Sequence, residues 1–357
     1  NSEFGIPMYT RFIHPEQLRG AELDELLAQG WFRMGGSIHT SHILLSDSKL
    51  FNVVRLRYDL KRFRFGKTFK NLSRRNADTV VTFHPFALNP ERELLFRSYR
   101  QERFNDPDID LDLYLHHPHG HNPYESISVD VHIGERLIAS GVMDMGEKAA
   151  AGILSFFDLS MGERSLGKWV IYHMVQYGIG QGLEYFYPGY HLPGNSKFEY
   201  KMGIGGESTE FYRLHEDEWL PWAQFEDSDM RLELMRDRLD EAQRLLFEEG
   251  IPTVMVFYFY FDRPMATMPT ERHFDFPFFV VVRPGNDRYE QYALCFDLVT
   301  NAFETYKIQG EPKFFEDGEG MELWYNEPAF IPCNAAVFLS DEVVRSLTDR
   351  GSRIEDR

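Results

Sequence analysis

The sequence predicts an α+β fold: a mixed sheet built from an antiparallel meander and a strand–helix–strand crossover, with an α/β subdomain before it and a β-rich extension after it. Three observations carry this. First, ESISVDVHI, RLIASGVMDM and GILSFFDL are apolar-rich runs separated by turn residues, the pattern of a meander. Second, in SLGKWVIYHMVQYG the residues Leu166, Trp169, Val170, His173, Met174 and Tyr177 fall at helical spacing, with Ser165 placed to cap the helix and Gly178 and Gly180 following. Third, EYFYPGY is short and aromatic and is expected to stop at Pro188 and Gly189. A strand reached through one helix lies parallel to its predecessor, and the groove of such a unit opens where the two parallel strands end. The stretch YPGYHLPGNSKFEYK, 187–201, leaves the sheet there.

The elements before the meander follow from local pattern. Pro15 to Ala28 reads as an amphipathic helix with Leu18, Leu23, Leu26 and Leu27 inward and Gly30 after its end. GWFRMGGSIHT is turn-rich and then extended, and ILLSDSKLFNVVRLRYDL reads as a hairpin running into a basic stretch. ADTVVTFHPF is a further strand, and NPERELLFRSYRQERF is a charged helix opened by Asn89 and Pro90. NDPDIDLDLYLHHPHGHNPYE is acidic, His-rich and broken by proline, a long connection. Its His116, His117, His119 and His121 invite a metal, but Pro118 and Gly120 break regular geometry and no second ligand cluster accompanies them, so an exposed loop is expected and no metal site is assigned.

After the crossover, DMRLELMRDRLDEAQRLLFEEG is a helix charged on one face and ending at Gly250. TVMVFYFYF is a strand expected to be buried on both faces. FFVVVRPGNDRYEQYALCFDL reads as a hairpin through Pro-Gly-Asn, followed by FETYKI and AAVFL. The expected division is 8–115 for the N-terminal domain, 122–263 for the core and 264–357 for the extension, whose purpose the pattern does not reveal. Residues 1–7, NSEFGIP, read as a cloning remnant ahead of Met8.

The 357 residues carry a net charge of −18, which argues against non-specific nucleic-acid binding by the whole surface. The charge is uneven. From Arg55 to Arg75 nine cations (Arg55, Arg57, Lys61, Arg62, Arg64, Lys67, Lys70, Arg74, Arg75) meet one acid, Asp59, so this island is +8 and the remainder −26. Such an island is an anion or partner site, or else a solvated strand and loop, and the interleaved Phe63, Phe65 and Phe69 suit packing as well as base stacking. The two cysteines, Cys295 and Cys333, exclude a cysteine-only zinc or iron–sulfur site within one chain. With no bilayer-length apolar run and no signal-type start, a soluble cytoplasmic protein without membrane contact is expected. The oligomeric state is not legible.

The residues themselves then point to a family. LIASGVMDM, SFFDLSMGERSLGKW, YFYPGY and KFEYK, over 137–201, resemble the arginyltransferase family, the aminoacyl-tRNA–protein transferases, together with their bacterial leucyltransferase relatives, in order and rough spacing. GWFRMGG, containing Trp31 and Arg33, is similar to the family's Gly-Trp-Arg-Arg-x-Gly turn, and RLRYDL with the basic run resembles its N-terminal domain. The resemblance covers about 25–225 and implies a GNAT-like acyltransferase core, charged tRNA as donor and a protein or peptide α-amine, with an acidic N-terminus, as acceptor. Departures are plain. The family's N-terminal cysteines are missing, so no iron–sulfur cluster and no other cofactor is expected. Where the family pattern has a cysteine this chain has Asn195, and Glu199 stands between Lys197 and the pair Tyr200 and Lys201.

Aminoacyl-tRNA is an activated ester, and an α-amine with a pKa near 8 is partly neutral at cellular pH, so positioning, oxyanion contact and proton acceptance are the main requirements. Backbone N–H groups near Tyr187 to Tyr190 are candidates for the oxyanion contact, and Asp144, at a strand end, for holding or deprotonating the amine; the alternative for Asp144 is an ordinary turn residue. The resemblance assigns Lys197, Tyr200 and Lys201 to the tRNA acceptor end or an acidic acceptor residue, with a solvated charged loop as the alternative. Arg55, Arg57 and Lys67 are candidates for a carboxylate or tRNA phosphates. Trp31 and Tyr190 are candidates for stacking on the terminal adenine or the aminoacyl side chain, with core packing as the alternative. Two other functions stay open. One is an acyl-CoA-dependent GNAT enzyme, for which Arg164, Ser165, Leu166, Gly167 and Lys168 begin a pyrophosphate loop whose last small position is filled by Trp169. The other is a non-catalytic tRNA- or protein-binding module.

Overall fold

The structure, a computed structural model, describes residues 10–46, 49–106, 108–117, 120–213, 216–258, 274, 276–283, 290–298, 300–309, 314–316, 322–324, 329–335, 339 and 343–346. Residues 1–7, Met8, His119 and the Pro-Gly-Asn turn at 284–286 lie outside the described residues, as does most of AAVFL.

In chain order the elements are β1 (Thr10–Ile13), α1 (Gly20–Ala28), β2 (Phe32–Met34), β3 (Ser37–Ser41), β4 (Ile43–Ser46), β5 (Lys49–Asn52), β6 (Val54–Asp59), α2 (Lys67–Arg75), β7 (Val80–Pro85), α3 (Pro90–Phe104) and α4 (Leu111–His116). There follow β8 (Ser126–Ile133), β9 (Arg136–Met145), β10 (Ala149–Phe157), α5 (Leu166–Gly180), β11 (Tyr185–His191), α6 (Tyr200–Gly205), β12 (Thr209–Arg213), β13 (Glu218–Pro221) and α7 (Arg231–Glu248). The last strands are β14 (Thr253–Tyr258), β15 (Phe278–Val282), β16 (Tyr292–Asp297), β17 (Ala302–Gln309), β18 (Phe314–Glu316), β19 (Glu322–Trp324) and β20 (Ala329–Cys333).

The chain divides into two compact units. One comprises Arg11–Thr40 and Val53–Phe225; the other Asn1–Thr10, Ser41–Asn52 and Glu226–Arg357. This division differs from the expected boundaries at 115, 122 and 263. The α/β subdomain and the crossover share one sheet and so cannot part, while the β4–β5 hairpin and α7 go with the later strands.

In the first unit the sheet has eight strands in the order β13-β12-β6-β11-β10-β9-β8-β7. β7 to β10 form the antiparallel meander. β10 and β11 pair in parallel over only Ala149↔Tyr185, Ala150↔Phe186 and Ala151↔Tyr187, three alanines beside three aromatic residues. Beyond that point β10 stays with β9 and β11 with β6, and both pairings shift register there, between Gly152 and Leu154 and between Phe186 and Gly189. A bulge bends its strand, so the two strands splay. Expected to end at Pro188 and Gly189, β11 instead runs on to His191, because a bulge absorbs the proline.

Helix α5 covers one face of this sheet, burying Val170, Met174 and Val175 with Met143, Ala150 and Phe186. Helix α3 covers the other, with Phe96 against Val142 and Phe156. Each large side chain so buried contributes about 1.5–3 kcal/mol. Asn89 caps α3 by accepting from the Arg92 N–H at 2.8 Å, as its sequence predicts. Ser165 does not cap α5: it stands in the left-handed region at φ 51° with no side-chain cap bond, and only its carbonyl enters the helix. Three helices were not expected. α2 forms inside the basic island, α6 at the end of the 187–201 stretch and α4 inside the acidic connection, the last capped by Asp110, which accepts from Leu113 N at 2.7 Å.

In the second unit a seven-stranded sheet runs β18-β19-β14-β15-β16-β17-β20. α7 buries Met235, Leu239, Ala242, Leu245 and Leu246 in a core shared with these strands and Ile43. Among the described residues, the strands buried along their full length in this unit are β15 and β16, not β14, where only Val256 and Tyr258 are buried. Cys295 is buried and Cys333 half-buried.

Candidate active site

The splay between β10 and β11 gathers side chains from β2, β6, α3, β11 and the turn and helix that follow β11. Tyr190, half-buried on β11, stacks on Phe198 with centroids 5.3 Å apart and lies 5.0 Å from Phe32 of β2. Arg55 of β6, the register partner of Tyr190, places its guanidinium 3.9 Å from the Phe32 ring and donates from Nε to the Gly30 carbonyl at 2.7 Å. Lys201, at the start of α6, sends Nζ to the Tyr190 carbonyl at 2.6 Å, 5.2 Å from the Tyr190 ring and 5.3 Å from the Phe198 ring. Its backbone is anchored as well, since Tyr58 donates its hydroxyl to the Lys201 carbonyl at 2.7 Å. On the opposite lip Tyr99 of α3 lies 5.2 Å from Phe157 at the end of β10.

The electrostatics of this crevice are one-sided. The charged groups acting on Tyr190 and Tyr200 are Arg55 for the first and Arg103 for the second; the others are tyrosines, Tyr114 on Tyr190 and Tyr99 and Tyr190 on Tyr200. Burial raises the Tyr190 phenol and pushes Tyr200 up to about 12, so both are neutral donors at pH 7. Burial, and then Arg55, lower Lys201 to about 7; burial lowers Arg55 itself to about 9. Arg55 is therefore charged at pH 7 and Lys201 about half charged on a poorly solvated floor, a setting whose positive potential favours an incoming negative group.

Other expected site residues are placed differently. Asp144 cannot hold an incoming ammonium in the groove: it is 1% exposed and already pairs with Arg33, whose Nη1 reaches Oδ1 at 2.9 Å. Burial raises its pKa, and Arg33 and the Ser126 hydroxyl, donating at 2.6 Å, oppose that rise. Arg33 also donates to the carbonyls of Gly35 and Leu115, both at 2.6 Å, and lies 4.3 Å from the Tyr124 ring. The GWFRMGG arginine is thus a buried clamp that ties its own turn to α4 and to β9. Trp31 is buried among Leu23, Leu27 and Ile38, which leaves no face for an adenine. Tyr187 packs 5.6 Å from Trp219 in the same cluster; burial pushes its phenol to about 12, while Arg57, bonded to it, works against this. Arg57 pairs with Glu210 at 2.7 Å. Gly167 offers no pyrophosphate cradle, because a Cβ there would stand 2.9 Å from Cε1 of Phe157: this chain's own ring takes the close approach.

Lys197 is exposed in the turn after β11, where its N–H donates to Asn195 Oδ1 at 3.1 Å. Lys67 is exposed at the start of α2 and faces solvent with Lys70 and Arg74, spaced three and four residues apart on one helix face. The interleaved phenylalanines are turned the other way. Phe69 stacks on Trp169 at 5.7 Å, and Phe65 lies 6.4 Å from Tyr172, so they dock α2 on α5 rather than await bases.

Two cavities of this unit lie elsewhere and include neither Lys197 nor Lys201. One, of about 450 Å³, is lined by Val81, Phe83, Trp169 and His173; the other, of about 600 Å³, by Glu22, Glu125, Glu147 and Gln181. Of the four histidines, His116 bonds Asp112 at 2.6 Å and His121 meets the Glu16 carbonyl. Among the described residues no group of three or more His, Cys, Asp or Glu could hold a metal ion, and no helix is long and apolar enough to cross a membrane. Sequence reasoning missed Phe32, Tyr99, Arg103 and Tyr114; the spacing of Tyr99 and Arg103, one helical turn apart, was the available signal.

Comparison with known proteins agrees with the motif resemblance. Residues 91–208 match the family "Arginine-tRNA-protein transferase, C terminus". The chain is 24% identical over 195 residues to the aspartate/glutamate leucyltransferase of Leptospira interrogans, covering 53% of this chain and 74% of the relative. It is 28% identical to that of Teredinibacter turnerae, covering 54% and 79%, and 27% identical to that of Nitrobacter hamburgensis, covering 58% and 83%. Among solved structures, L-PGS from Bacillus licheniformis overlaps at a TM-score of 0.32 and 16% identity, over 41% of this chain and 48% of that one, an overlap too small to bear on fold or function. The GNAT-like assignment rests on the meander, the crossover and the splayed strands themselves.

Proposed function

We propose, from the premise that this chain is an aminoacyltransferase, that it moves an amino acid from charged tRNA to the α-amine of a protein or peptide whose N-terminal residue is acidic. The observation that supports this best is the crevice between β10 and β11, where neutral phenols line a floor made cationic by Arg55 and Lys201. The match over 91–208 and the relatives named aspartate/glutamate leucyltransferase support the same reading.

In this reading the tRNA acceptor stem lies along the exposed cations of α2 and its 3′ end enters the splay. The acceptor's side-chain carboxylate takes the positive potential of Arg55 and Lys201, which holds its neutral α-amine beside the ester carbonyl. Attack on that carbonyl gives an oxyanion, met by backbone N–H groups on the β11 edge past Tyr187; Pro188 has none, so Gly189 and Tyr190 are the candidates. Collapse releases the ribose hydroxyl, which takes the proton lost by the amine. The ester is already activated, so the reaction needs no cofactor. A cytoplasmic site of action follows from the donor.

The rival acyl-CoA donor is disfavoured by Phe157 over Gly167 and by Trp169 in the last small position of the loop. The deciding assay offers labelled aminoacyl groups from a charged tRNA pool to peptides beginning with Asp, Glu, Ala or Lys, with acetyl-CoA run in parallel. Transfer from tRNA to the Asp and Glu peptides is expected. Transfer from acetyl-CoA alone would select the rival, and binding of tRNA without transfer would select the non-catalytic module.

A further inference from the structure

One stripe of α3 runs from the sheet onto the crevice mouth. Arg92, Phe96, Tyr99 and Arg103 follow one another at spacings of four, three and four, so they share a helix face. Arg92 is buried on Asp130 of β8, and Phe96 is buried against Val142 and Phe156. Tyr99, half-buried, meets Phe157, the last residue of β10, at 5.2 Å. Arg103 is the next position, one helical turn past the residue that meets the end of that strand, and it is exposed.

The charge of Arg103 is unanswered. Among the described residues it has no ion pair, whereas Arg100 is held by Asp106. Glu102, its neighbour in sequence, stands about 100° away round the helix. Arg103 is the charged group that acts on Tyr99 and on Tyr200, so its field spans the crevice from α3 to α6. Beside it Phe104 is 56% exposed, with its ring 6.0 Å from the Arg103 guanidinium, 5.6 Å from that of Arg100 and 6.0 Å from the Tyr99 ring. A guanidinium without a counter-charge and a bare aromatic ring on one lip fit a nucleotide, its phosphate on the first and its base on the second. The basic island offers no such ring, since Phe65 and Phe69 are docked on α5.

We infer that the last turn of α3 holds the single-stranded 3′ end of the donor tRNA at the crevice lip, with Arg103 on a phosphate and Phe104 under a base. The inference rests on the reaction proposed above and deepens it, naming the groups that guide the 3′ end into the splay. Tyr99, between Phe104 and Phe157, lies on the path from this lip to the reacting ester.

The test reads binding without transfer, using intact tRNA and tRNA from which the 3′-terminal CCA has been removed. The wild-type chain is expected to bind intact tRNA about tenfold more tightly, because one charge-assisted phosphate contact and one stacked base are lost with the CCA. Arg103→Gln should bring the two Kd values within about threefold of each other and lower the slope of log Kd against log salt by about 0.7 for intact tRNA alone. Arg103→Lys, which keeps the charge, should keep that slope, and Phe104→Ala should weaken intact tRNA about fivefold with the slope held. Both positions are exposed, and unchanged melting would exclude misfolding. Intact and truncated tRNA bound alike by the wild-type chain would overturn the inference whatever the transfer assay shows. So would an Arg103→Gln variant with Kd and slope unchanged, which would leave Arg103 as a helix-end cation. A slope lowered equally for both tRNAs would overturn it in favour of contact with the stem, and a raised KM for peptide with the Kd for tRNA held would overturn it in favour of an acceptor site. Discrimination present in the wild type and lost in Arg103→Gln, with transfer to no peptide, would remove the reaction and leave this lip as a tRNA-binding site.

Discussion

Replacing Lys201 by methionine measures the electrostatics of the crevice floor. Lys201 is 7% exposed and its ammonium donates to the Tyr190 carbonyl at 2.6 Å, with Arg55 as its charged neighbour. Burial, and then Arg55, bring its pKa from 10.5 to about 7. At about 1.4 kcal/mol per pH unit, carrying that charge costs the folded chain about 5 kcal/mol more than the unfolded one. The sign follows from proton counting. Between about 7 and 10.5 the unfolded chain binds more protons at this site than the folded chain, so stability rises with pH across that window, and below about 7 the whole penalty is felt. From pH 6 to pH 9 the wild-type chain therefore gains about 2–3 kcal/mol from this one group. Methionine keeps an unbranched apolar stem between Tyr190 and Phe198 and does not titrate. Losing the bond to Tyr190 costs it roughly 1.5–3 kcal/mol, so the slope of the stability difference against pH, not its offset, is the quantity to read. Urea unfolding followed by tryptophan fluorescence at pH 6, 7.5 and 9 should show the methionine variant gaining most relative to wild type at pH 6, the advantage shrinking as pH rises. A difference that stays flat within about 0.5 kcal/mol across that range would refute a buried, titrating Lys201.

The remaining expectations concern the clamp, the tRNA face, one glycine and the choice of acceptor. Arg33→Met should destabilise the first unit by about 3–5 kcal/mol, because it strands Asp144 as an unpaired buried charge, and adding Asp144→Asn should recover part of that loss in the same denaturation assay. Neutralising Lys67, Lys70 and Arg74 to Gln should lower the slope of log Kd for tRNA against log salt by about 2–3 without moving Tm; an unchanged slope would place the tRNA elsewhere. At Gly205 a Cβ would stand 2.2 Å from Thr209 Oγ1 and 2.3 Å from Cε1 of Tyr58, so Gly205→Ala should displace α6 from β6 and lower Tm by several degrees. Lys201→Met should also erode the preference for Asp over Ala at the acceptor N-terminus, by roughly tenfold in kcat/KM, the worth of one charge-assisted contact. An unaltered ratio would mean that Lys201 does not serve acceptor choice.

Much of the fold was legible because it is local. The apolar-rich runs of β8 to β10, the helical spacing of α5 and the Asn89-Pro90 opening of α3 are each written in neighbouring residues, and each element stands within a few residues of where its pattern placed it, β10 starting at Ala149, three residues ahead of GILSFFDL. The exceptions are informative. α2 has only Phe69 and Leu72 to mark an apolar stripe, and its docking on Trp169 and Tyr172 of α5 stabilises it from outside. Pro188 reads as a stop, yet the β11–β6 pairing passes it by a bulge.

What the chain decides by itself is therefore the elements, their order and the presence of a cationic island in an acidic protein, since these depend on residues within a few turns of one another. What the tertiary structure alone decides is which charges are buried and by whom they are answered. Arg33 and Asp144 are 111 positions apart and neutralise each other in the core, while Arg55, Tyr190 and Lys201 converge from three segments on one floor. Desolvation and pairing act through space, over a few ångströms, and only the closed sheet brings such distant residues within that range.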